Sequence, residues 1–370
     1  MRKQPAIALE AMRRRLSRRS FETLGTRIGG EMIVTGTIKR GVSLYSFQNE
    51  TFQGKMDLED CIRTCSEMGA RGIEIIGEQT FWGWPEYGVE DEAIENWHRL
   101  IKQYDCVPVS HDYMLDYKSY KDRPMPFEQQ VASVRKDIDF GARLGMPYIR
   151  SLVSISPDVL VAAAPYAEEK GIKLLTEVHA PLHFDHPWII RIAEAFQKSG
   201  SPALGFLPDM GMFLHHYPRV WAEKFKRLGV PDNIADYIIK AYDDRVLSEY
   251  VILEVQEMGG VGPAIAMAEV MRHNAAFEPK RMLDYMDMIH NIHGKFYEMT
   301  EDYIEPSIPY DEIVSVLKSG GYDGYICSEY EGNRWIEDAE EPDSVEQVRR
   351  QQVMLSRLLD EPDAPALKAA

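Results

Sequence analysis

Positive charge and long apolar runs are what this sequence has least of. The 370 residues carry 42 Lys and Arg against 59 Asp and Glu, which gives a formal net charge of −17 at pH 7. A protein with this balance has no general attraction for phosphate backbones or anionic membranes, so we expect neither nucleic acid nor membrane as a partner. The sequence also lacks an apolar stretch of the length that crosses a bilayer.

Cysteine is scarce as well, with four residues in the whole sequence. They are Cys61, Cys65, Cys106 and Cys327, and they lack the tight paired spacings of a zinc site. Cys61 and Cys65 lie one helical turn apart on an apolar face. We therefore expect the cysteines to pack in the core of a protein from a reducing compartment, and we expect a cytoplasmic location.

The N-terminal segment departs from the acidic balance, because its first forty residues hold ten Lys and Arg against three Glu. Ser17 to Phe21 reads SRRSF, which hints at a twin-arginine export signal. Glu22, Arg27 and Glu31 interrupt the region where an apolar stretch should follow, so we discount this signal. We expect residues 1–40 to be a disordered basic tail, or upstream sequence if translation starts at Met32, and residues 361–370 to be a second disordered tail.

Between residues 41 and 360, short apolar segments alternate with longer segments of helical periodicity. This alternation predicts repeated βα units and a parallel sheet. Eight segments of strand length fit a closed (β/α)₈ TIM barrel, and no glycine-rich dinucleotide loop follows the first of them to favour an open sheet. The predicted strands are Val42–Phe47, Gly72–Ile76, Val107–His111, Tyr148–Val153, Lys173–His179, Ala203–Pro208, Ile289–His293 and Gly324–Glu329.

One connection is far longer than the others. Residues 217–288 separate the sixth and seventh predicted strands, where a single helix normally suffices. We predict a helical insertion there, with helices over Asn233–Met258, Pro263–His273 and near Pro279–Met288. Because βα loops lie over the active-site face of a barrel, the insertion should form a lid or a subunit-docking surface. The alternative is a helical decoration with no part in the chemistry.

Four ionisable residues end the last four predicted strands: Glu177, Asp209, His293 and Glu329. Polar side chains at the carboxyl ends of barrel strands face the active-site mouth. Three carboxylates in one mouth would repel each other unless a cation lay between them. Three oxygen ligands and one nitrogen suit a divalent metal, for which we predict Mn²⁺, with Mg²⁺ or Co²⁺ as alternatives.

At these positions the chain resembles the xylose-isomerase-like TIM barrel superfamily, which includes sugar phosphate isomerases and epimerases. The motifs are Thr-Glu177-Val-His, Pro-Asp209-Met-Gly, Ile-His293-Gly-Lys and Ser-Glu329-Tyr-Glu, and the resemblance spans Val42 to Leu359. It implies that these four residues hold the metal, and that Glu177 and Glu329 serve as acid and base in an epimerase. Met212 is a departure, since epimerases commonly have a substrate-binding histidine there.

A narrower resemblance fits that departure better. The run from His293 to Glu298, the run from Ser328 to Trp335, the long insertion and the acidic charge are similar to the larger (alpha) subunit of bacterial C-glycoside deglycosidases. This resemblance implies a Mn²⁺-dependent lyase that deprotonates a 3-keto C-glycoside at C2 and eliminates the aglycone. It also implies a hetero-oligomer with a small β-rich subunit. A sugar epimerase or isomerase acting through an enediolate remains the alternative.

Several further residues are candidates for the catalytic and substrate contacts. Histidine suits proton abstraction because its ordinary pKa lies near operating pH, and His179 and His111 follow or end predicted strands. Lys295 is expected to give electrostatic support at the sugar oxygens. Aromatic rings stack on sugars and aryl groups, and arginine orients hydroxyls or carboxylates. The candidate substrate contacts are Tyr45, Trp82, Trp84, Arg150, Tyr330 and Arg334.

Two other interpretations stay open at this stage. A DNA-repair endonuclease with a trinuclear zinc cluster would need several further histidines, and both Met212 and the acidic charge argue against it. A sugar-binding or scaffold subunit that keeps the metal site without turnover would instead bind metal and catalyse nothing.

Overall fold

A computed structural model describes residues 27–28, 31–32, 37–115, 120–274 and 277–361. Arg27–Ile28 pairs antiparallel with Glu31–Met32 ahead of the main sheet. Most of the basic segment 1–40 and nearly all of the C-terminal segment 361–370 lie outside the described residues, so both predictions of disorder stay predictions.

In the described ranges, eight parallel strands form one barrel. Their order around the sheet is β6-β5-β4-β3-β2-β1-β8-β7. Parallel bridges from Phe206 to Ile289 and from Asp209 to His293 close β6 onto β7. The (β/α)₈ prediction is therefore confirmed. The strands are β1 (Lys39–Ser43), β2 (Gly72–Ile76), β3 (Val107–Tyr113), β4 (Tyr148–Ser151), β5 (Lys173–Val178), β6 (Leu204–Pro208), β7 (Asn291–Phe296) and β8 (Tyr325–Tyr330).

Helices cover the outside of the barrel. Asp57 and Asp60 form a capping box that starts helix Leu58–Glu67, and Gly145, Gly171 and Gly200 end three other helices with positive φ. The barrel helices are α1 (Leu58–Glu67), α2 (Asp91–Gln103), α3 (Phe127–Leu144), α4 (Pro157–Lys170), α5 (Pro187–Ser199), α10 (Tyr310–Ser319) and α11 (Ser344–Leu358). Shorter helical turns occupy Leu44–Phe47, Gln48–Phe52, Gly77–Thr80, Met210–Phe213 and Asn333–Ile336.

The segment between β6 and β7 is helical. It contains α6 (Arg219–Arg227), α7 (Asp232–Asp243), α8 (Ser248–Glu257), α9 (Pro263–His273) and the 3₁₀ helix Pro279–Met288. The single helix expected over Asn233–Met258 is two helices. The chain turns between them at Arg245, which has a φ of 59° that a continuous helix does not allow.

The strands alternate between the barrel interior and the helix layer, and this alternation decides which residues face the site. On β3, Asp112 faces the interior beside Arg150 of β4, whereas its neighbour His111 faces α3. The cysteines Cys61, Cys65, Cys106 and Cys327 are buried and unpaired. Among the described helices, none is long and apolar enough to cross a membrane.

Candidate metal centre

Glu177, Asp209, His293 and Glu329 converge at the carboxyl ends of β5 to β8. Each offers one ligand atom, and these atoms all lie within 4.8 Å of one another. His293 Nδ1 is 3.0 Å from Glu177 Oε1 and 3.4 Å from Glu329 Oε2. All four side chains are buried, with Glu329 the most exposed at 5%. The strand-end pattern thus corresponds to one compact group that could hold a metal ion.

A tight turn after β6 presents Asp209 to this group. Its Oδ1 accepts a hydrogen bond of 2.6 Å from the Gly211 backbone N–H and caps the short helix Met210–Phe213. A Cβ at Gly211 would lie 2.9 Å from that oxygen and 3.0 Å from Lys295 Cδ, so this position needs glycine for close packing. The cap fixes one carboxylate oxygen, and the other, Oδ2, lies 2.5 Å from Lys295 Nζ.

The residues present fit a divalent cation on two counts. First, Glu177 Oε2, Asp209 Oδ2 and Glu329 Oε2 are buried, and among the described residues they have ion-pair contacts but no hydrogen bond of good geometry. Buried polar atoms rarely stay unpaired, because each lost partner costs about 1–3 kcal/mol or more for a charged group. Second, these three carboxylates and the buried Glu74 face two cationic side chains, Arg150 and Lys295. A charge of +2 would balance that set.

Two cationic side chains lie within the group. Arg150 Nη2 is 3.0 Å from Glu177 Oε2, and Lys295 Nζ is 2.5 Å from Asp209 Oδ2 and 3.4 Å from Glu329 Oε2. Burial would raise the pKa of Glu177, but Arg150 and His293 hold it well below its usual value. Burial would likewise lower the pKa of Lys295, but Asp209 and Glu329 keep it well above its usual value. Glu177 is therefore anionic and Lys295 cationic.

Behind His293 lies a carboxylate that the sequence analysis did not identify. Glu74, in the middle of β2, is fully buried, and its Oε1 is 2.9 Å from His293 Nε2. Its Oε2 accepts a 2.7 Å hydrogen bond from Asn291. Because Nδ1 faces the other ligands, the Nε2 side of the ring lies against Glu74, and this ion-pair contact helps to hold the ring orientation. A carboxylate inside the otherwise apolar strand GIEII was the available signal.

A second buried acid, Asp112, completes the interior below the ligands. Asp112, Glu74 and His293 form another group whose ligand atoms lie within 4.8 Å of one another. Burial, opposed by Arg150, raises the pKa of Asp112 to about 8. The carboxyl is therefore mostly protonated at neutral pH, and it does not add a full negative charge to the centre.

His179 stands at the edge of the ligand group. Its Nε2 is 4.0 Å from Glu177 Oε2, and its side chain is 36% exposed. Its Nδ1 is 2.6 Å from the Ala180 carbonyl oxygen, which can only accept a hydrogen bond. Nδ1 therefore carries the proton in the neutral ring, and Nε2 is free to accept one. The ring therefore offers a proton acceptor at the edge of the ligand group.

Three predicted site residues face the helix layer instead. His111 is fully buried, with Nε2 2.8 Å from Asp137 Oδ1 on α3. Trp84 stacks on Phe140 with ring centroids 3.9 Å apart, and Tyr330 packs on Phe296 at 5.1 Å. In this structure His111, Trp84 and Tyr330 therefore lie away from the four candidate ligands.

Trp82 is not brought to the ligand group either. It lies on a loop after β2, is 92% exposed and stacks on Tyr87.

Tyr45 and Arg334 join the centre through a residue that was not predicted, Glu331. Glu331 Oε1 lies 3.6 Å from Lys295 Nζ and 3.2 Å from Arg334 Nη2. The Tyr45 hydroxyl is 2.5 Å from Arg334 Nη2. These polar contacts run from the ligand group to the rim of the barrel, and they place Tyr45 and Arg334 beside the mouth.

Comparison with known proteins agrees with this geometry. The family model described as xylose isomerase-like TIM barrel matches residues 62–352. The chain belongs to this family. A sugar phosphate isomerase/epimerase of Parabacteroides distasonis superposes with a TM-score of 0.52, covering 90% of this chain and 98% of that one. Its 14% sequence identity supports the shared fold alone.

Sequence relatives indicate which type of enzyme within the family this chain is. The C-glycoside deglycosidase alpha subunit of Microbacterium trichothecenolyticum is 31% identical over 322 residues, covering 82% of this chain and 86% of the relative. That of Arthrobacter globiformis is 29% identical over 319 residues, covering 82% and 87%. The chain is thus an enzyme of the C-glycoside deglycosidase or the sugar isomerase/epimerase type, and relatives of this name act as subunits of a larger assembly.

Proposed function

We propose that this chain cleaves the C–C bond between sugar and aglycone in a 3-keto C-glycoside. The observation that carries the proposal is His179, whose unprotonated Nε2 lies 4.0 Å from Glu177, at the edge of the candidate metal centre. The resemblance to deglycosidase alpha subunits supplies the substrate class.

The reaction is an elimination and needs no oxidant or water. The ketone at C3 acidifies the hydrogen on C2, and His179 Nε2 takes that proton while the C–H electrons form an enolate across C2 and C3. The enolate then collapses, restoring the C3 ketone, forming a C1–C2 double bond and breaking the bond from C1 to the aglycone. The released electron pair takes up a proton on the aglycone carbon. The products are the free aglycone and an unsaturated keto sugar.

The residues of the centre divide this work. His179 holds the proton after its abstraction. Lys295, a buried cation 3.4 Å from Glu329, stabilises the negative charge that develops on the sugar oxygen. Arg150 keeps Glu177 ionised and in place at 3.0 Å. Glu74 holds the His293 ring in one orientation.

The ligands Glu177, Asp209, His293 and Glu329 would hold the cation, for which we propose Mn²⁺. When bound, a divalent metal supplies Lewis-acid stabilisation of negative charge at neighbouring oxygens. Three oxygen ligands and one nitrogen match metals of this kind and leave coordination positions open.

We further propose that the chain works with a small β-rich second subunit. Support comes from the name alpha subunit carried by its relatives. The catalytic roles given above do not depend on this second subunit, because every residue that carries one belongs to this chain.

Sugar epimerisation is the second candidate, since it begins with the same proton abstraction beside a ketone. The buried Met212, 1% exposed, weighs against it, because it occupies the position where the epimerases of the resemblance carry a histidine. The two reactions differ in their products, which allows a direct test.

The test incubates the chain, with and without its partner subunit, with a 3-keto C-glycoside and Mn²⁺. Mass spectrometry of the products should show free aglycone and an unsaturated keto sugar, and chelation of the metal should stop both from forming. An intact C–C bond carrying an isomerised sugar would establish the epimerase in place of the lyase.

A pair of histidine variants tests the assignment of the base. His179→Gln should lower kcat by about 10²–10⁴-fold, which is the usual contribution of a general base. His183→Gln is the matched control, because His183 lies in the same loop but stacks on Phe277 and has no part in the proposed reaction. Equal activity of the two variants would remove His179 from the mechanism.

A further inference from the structure

Lys295 contacts two kinds of carboxylate. Its Nζ lies 2.5 Å from Asp209 Oδ2 and 3.4 Å from Glu329 Oε2, and both residues are candidate metal ligands. Its third partner is Glu331 Oε1 at 3.6 Å, and Glu331 belongs to neither group of candidate ligands. An oxygen that ligates a divalent cation cannot also hold an ammonium at 2.5 Å without bringing two positive charges close together. Metal binding and the contact from Lys295 to Asp209 therefore exclude each other.

The backbone around Lys295 is held in place, so its flexible side chain is the part that can move. The Tyr310 hydroxyl donates a 2.7 Å hydrogen bond to the Lys295 carbonyl oxygen, and the Glu331 N–H donates a 3.0 Å bond to the Phe296 carbonyl oxygen. A Cβ at Gly211 would lie 3.0 Å from Lys295 Cδ, so glycine leaves room for the lysine stem. Charge-assisted N–H···O bonds are about 2.7–2.9 Å long, so Nζ reaches Glu331 by moving on the order of 1 Å.

Glu331 is oriented from its other side. Arg334 Nη2 donates a 3.2 Å hydrogen bond to Glu331 Oε1, and the Tyr45 hydroxyl lies 3.5 Å from the same oxygen. Arg334 also donates a 2.5 Å bond to the Tyr45 hydroxyl, which ties these two side chains together. Glu331 is thus a carboxylate that faces Lys295 and stays available when Asp209 ligates a metal.

We propose that Glu331 is a positioning residue, which receives the Lys295 ammonium from Asp209 when a divalent cation binds and then holds it at the edge of the metal centre. The transfer itself rests on the candidate metal centre alone. Its use in catalysis rests on the proposed function, in which Lys295 stabilises negative charge on the sugar oxygen.

A double-mutant cycle in Mn²⁺ affinity tests the transfer without turnover. In Glu331→Gln the ammonium has a weaker alternative partner and competes more strongly for Asp209, so Mn²⁺ should bind about tenfold more weakly. In the Lys295→Met background this competition is gone, and Glu331→Gln should change the affinity by less than about twofold. An unchanged affinity in the single variant would overturn the proposal. An equal loss in both backgrounds would overturn it too, because Glu331 would then act only as a nearby negative charge.

Glu298→Gln is the matched control for the loss of one carboxylate. The Glu298 side chain is 21% exposed, close to the 18% of Glu331, but it pairs with Arg219 and not with Lys295. Its Mn²⁺ affinity should equal that of the wild type, and circular dichroism would establish that all variants are folded. A loss in Glu298→Gln as large as in Glu331→Gln would remove the assignment, and so would a wild-type chain that binds no Mn²⁺.

Turnover separates this inference from the proposed function. If the wild type releases aglycone from a 3-keto C-glycoside, Glu331→Gln at saturating Mn²⁺ should lower kcat by about 10- to 100-fold, because the ammonium is misplaced. Adding Glu331→Gln to Lys295→Met should cause no further loss, and independent losses would overturn the positioning role. If the wild type releases no aglycone, the proposed function fails, and the Mn²⁺ cycle still decides whether Glu331 receives Lys295.

Discussion

Replacing Glu74 by glutamine removes one charge from behind the candidate metal ligand His293. In the native chain, both side chains are fully buried, and a carboxylate oxygen lies 2.9 Å from the ring Nε2. Glutamine keeps an oxygen of similar reach, but its amide must then face Asn291, whose own amide has to turn over to accept it. The variant thus keeps the reach of the side chain but replaces the charged partner of the histidine ring by a neutral one.

The size of the effect follows from that exchange. Losing a partner behind a metal-bound histidine typically costs about 10–100-fold in metal affinity. Because glutamine still offers an acceptor, we expect about a tenfold loss for Glu74→Gln, or about 1.4 kcal/mol. We expect about 100-fold for Glu74→Ala, which also leaves Asn291 without its acceptor.

Mn²⁺ titration followed by electron paramagnetic resonance measures these affinities directly. The matched control is Glu78→Gln, an exposed glutamate just beyond the end of the same strand. Melting temperatures would establish that the variants are folded. A Glu74→Gln protein that binds Mn²⁺ within twofold of the wild type would refute the role given to this residue.

Three further outcomes are expected. Burial, opposed by Lys295, raises the pKa of Asp209 to about 6. Because a protonated carboxyl is a poor ligand, Mn²⁺ affinity measured by calorimetry should fall below pH 6 by up to about tenfold per pH unit. An affinity that does not change with pH would contradict this. Lys295→Met should tighten Mn²⁺ binding, because it removes a competing cation 2.5 Å from Asp209, while kcat falls by about 10²–10³-fold. If Mn²⁺ affinity and kcat fall together, Lys295 does not support the reaction electrostatically. Burial, opposed by hydrogen bonds, raises the pKa of Glu305 from 4.5 to about 7, so the folded state binds the proton more tightly and stability declines as pH rises through that window, by at most about 3 kcal/mol. The melting temperature of Glu305→Gln relative to wild type should therefore rise with pH between these values, and parallel curves would contradict the assignment.

The barrel was predictable because its signal is repeated eight times along the chain. Each apolar strand is followed by an amphipathic helix, and glycines such as Gly145 and Gly171 mark the helix ends. A shift of a few residues at a strand end does not alter that pattern. The first strand, for example, ends at Ser43 and not at Phe47, and the fold is unaffected.

Individual side chains were harder to place, because the direction of a strand residue depends on odd or even position. His111 was expected to end its strand at the mouth, but β3 continues to Tyr113 and His111 faces α3. Trp84 and Tyr330 also pack in the helix layer. In a sequence, an aromatic residue near a strand end is equally typical of core packing and of ligand binding, so the pattern does not distinguish the two.

Long-range contacts were beyond the sequence pattern altogether. Glu74 lies 219 positions before His293, and its place inside an apolar strand indicates that it needs a buried partner without indicating which one. Glu331 contacts Lys295 because β7 and β8 are neighbours. Only the packed barrel brings these residues together.

The central claim, that four strand-end ligands hold one divalent cation, is tested most directly by metal stoichiometry. Purified chain stripped of metal and titrated with Mn²⁺ should bind one ion, and Asp209→Asn should lose that ion while its circular dichroism spectrum is unchanged. A wild-type chain that binds no divalent cation, or an Asp209→Asn variant that binds it with wild-type affinity, would contradict the account.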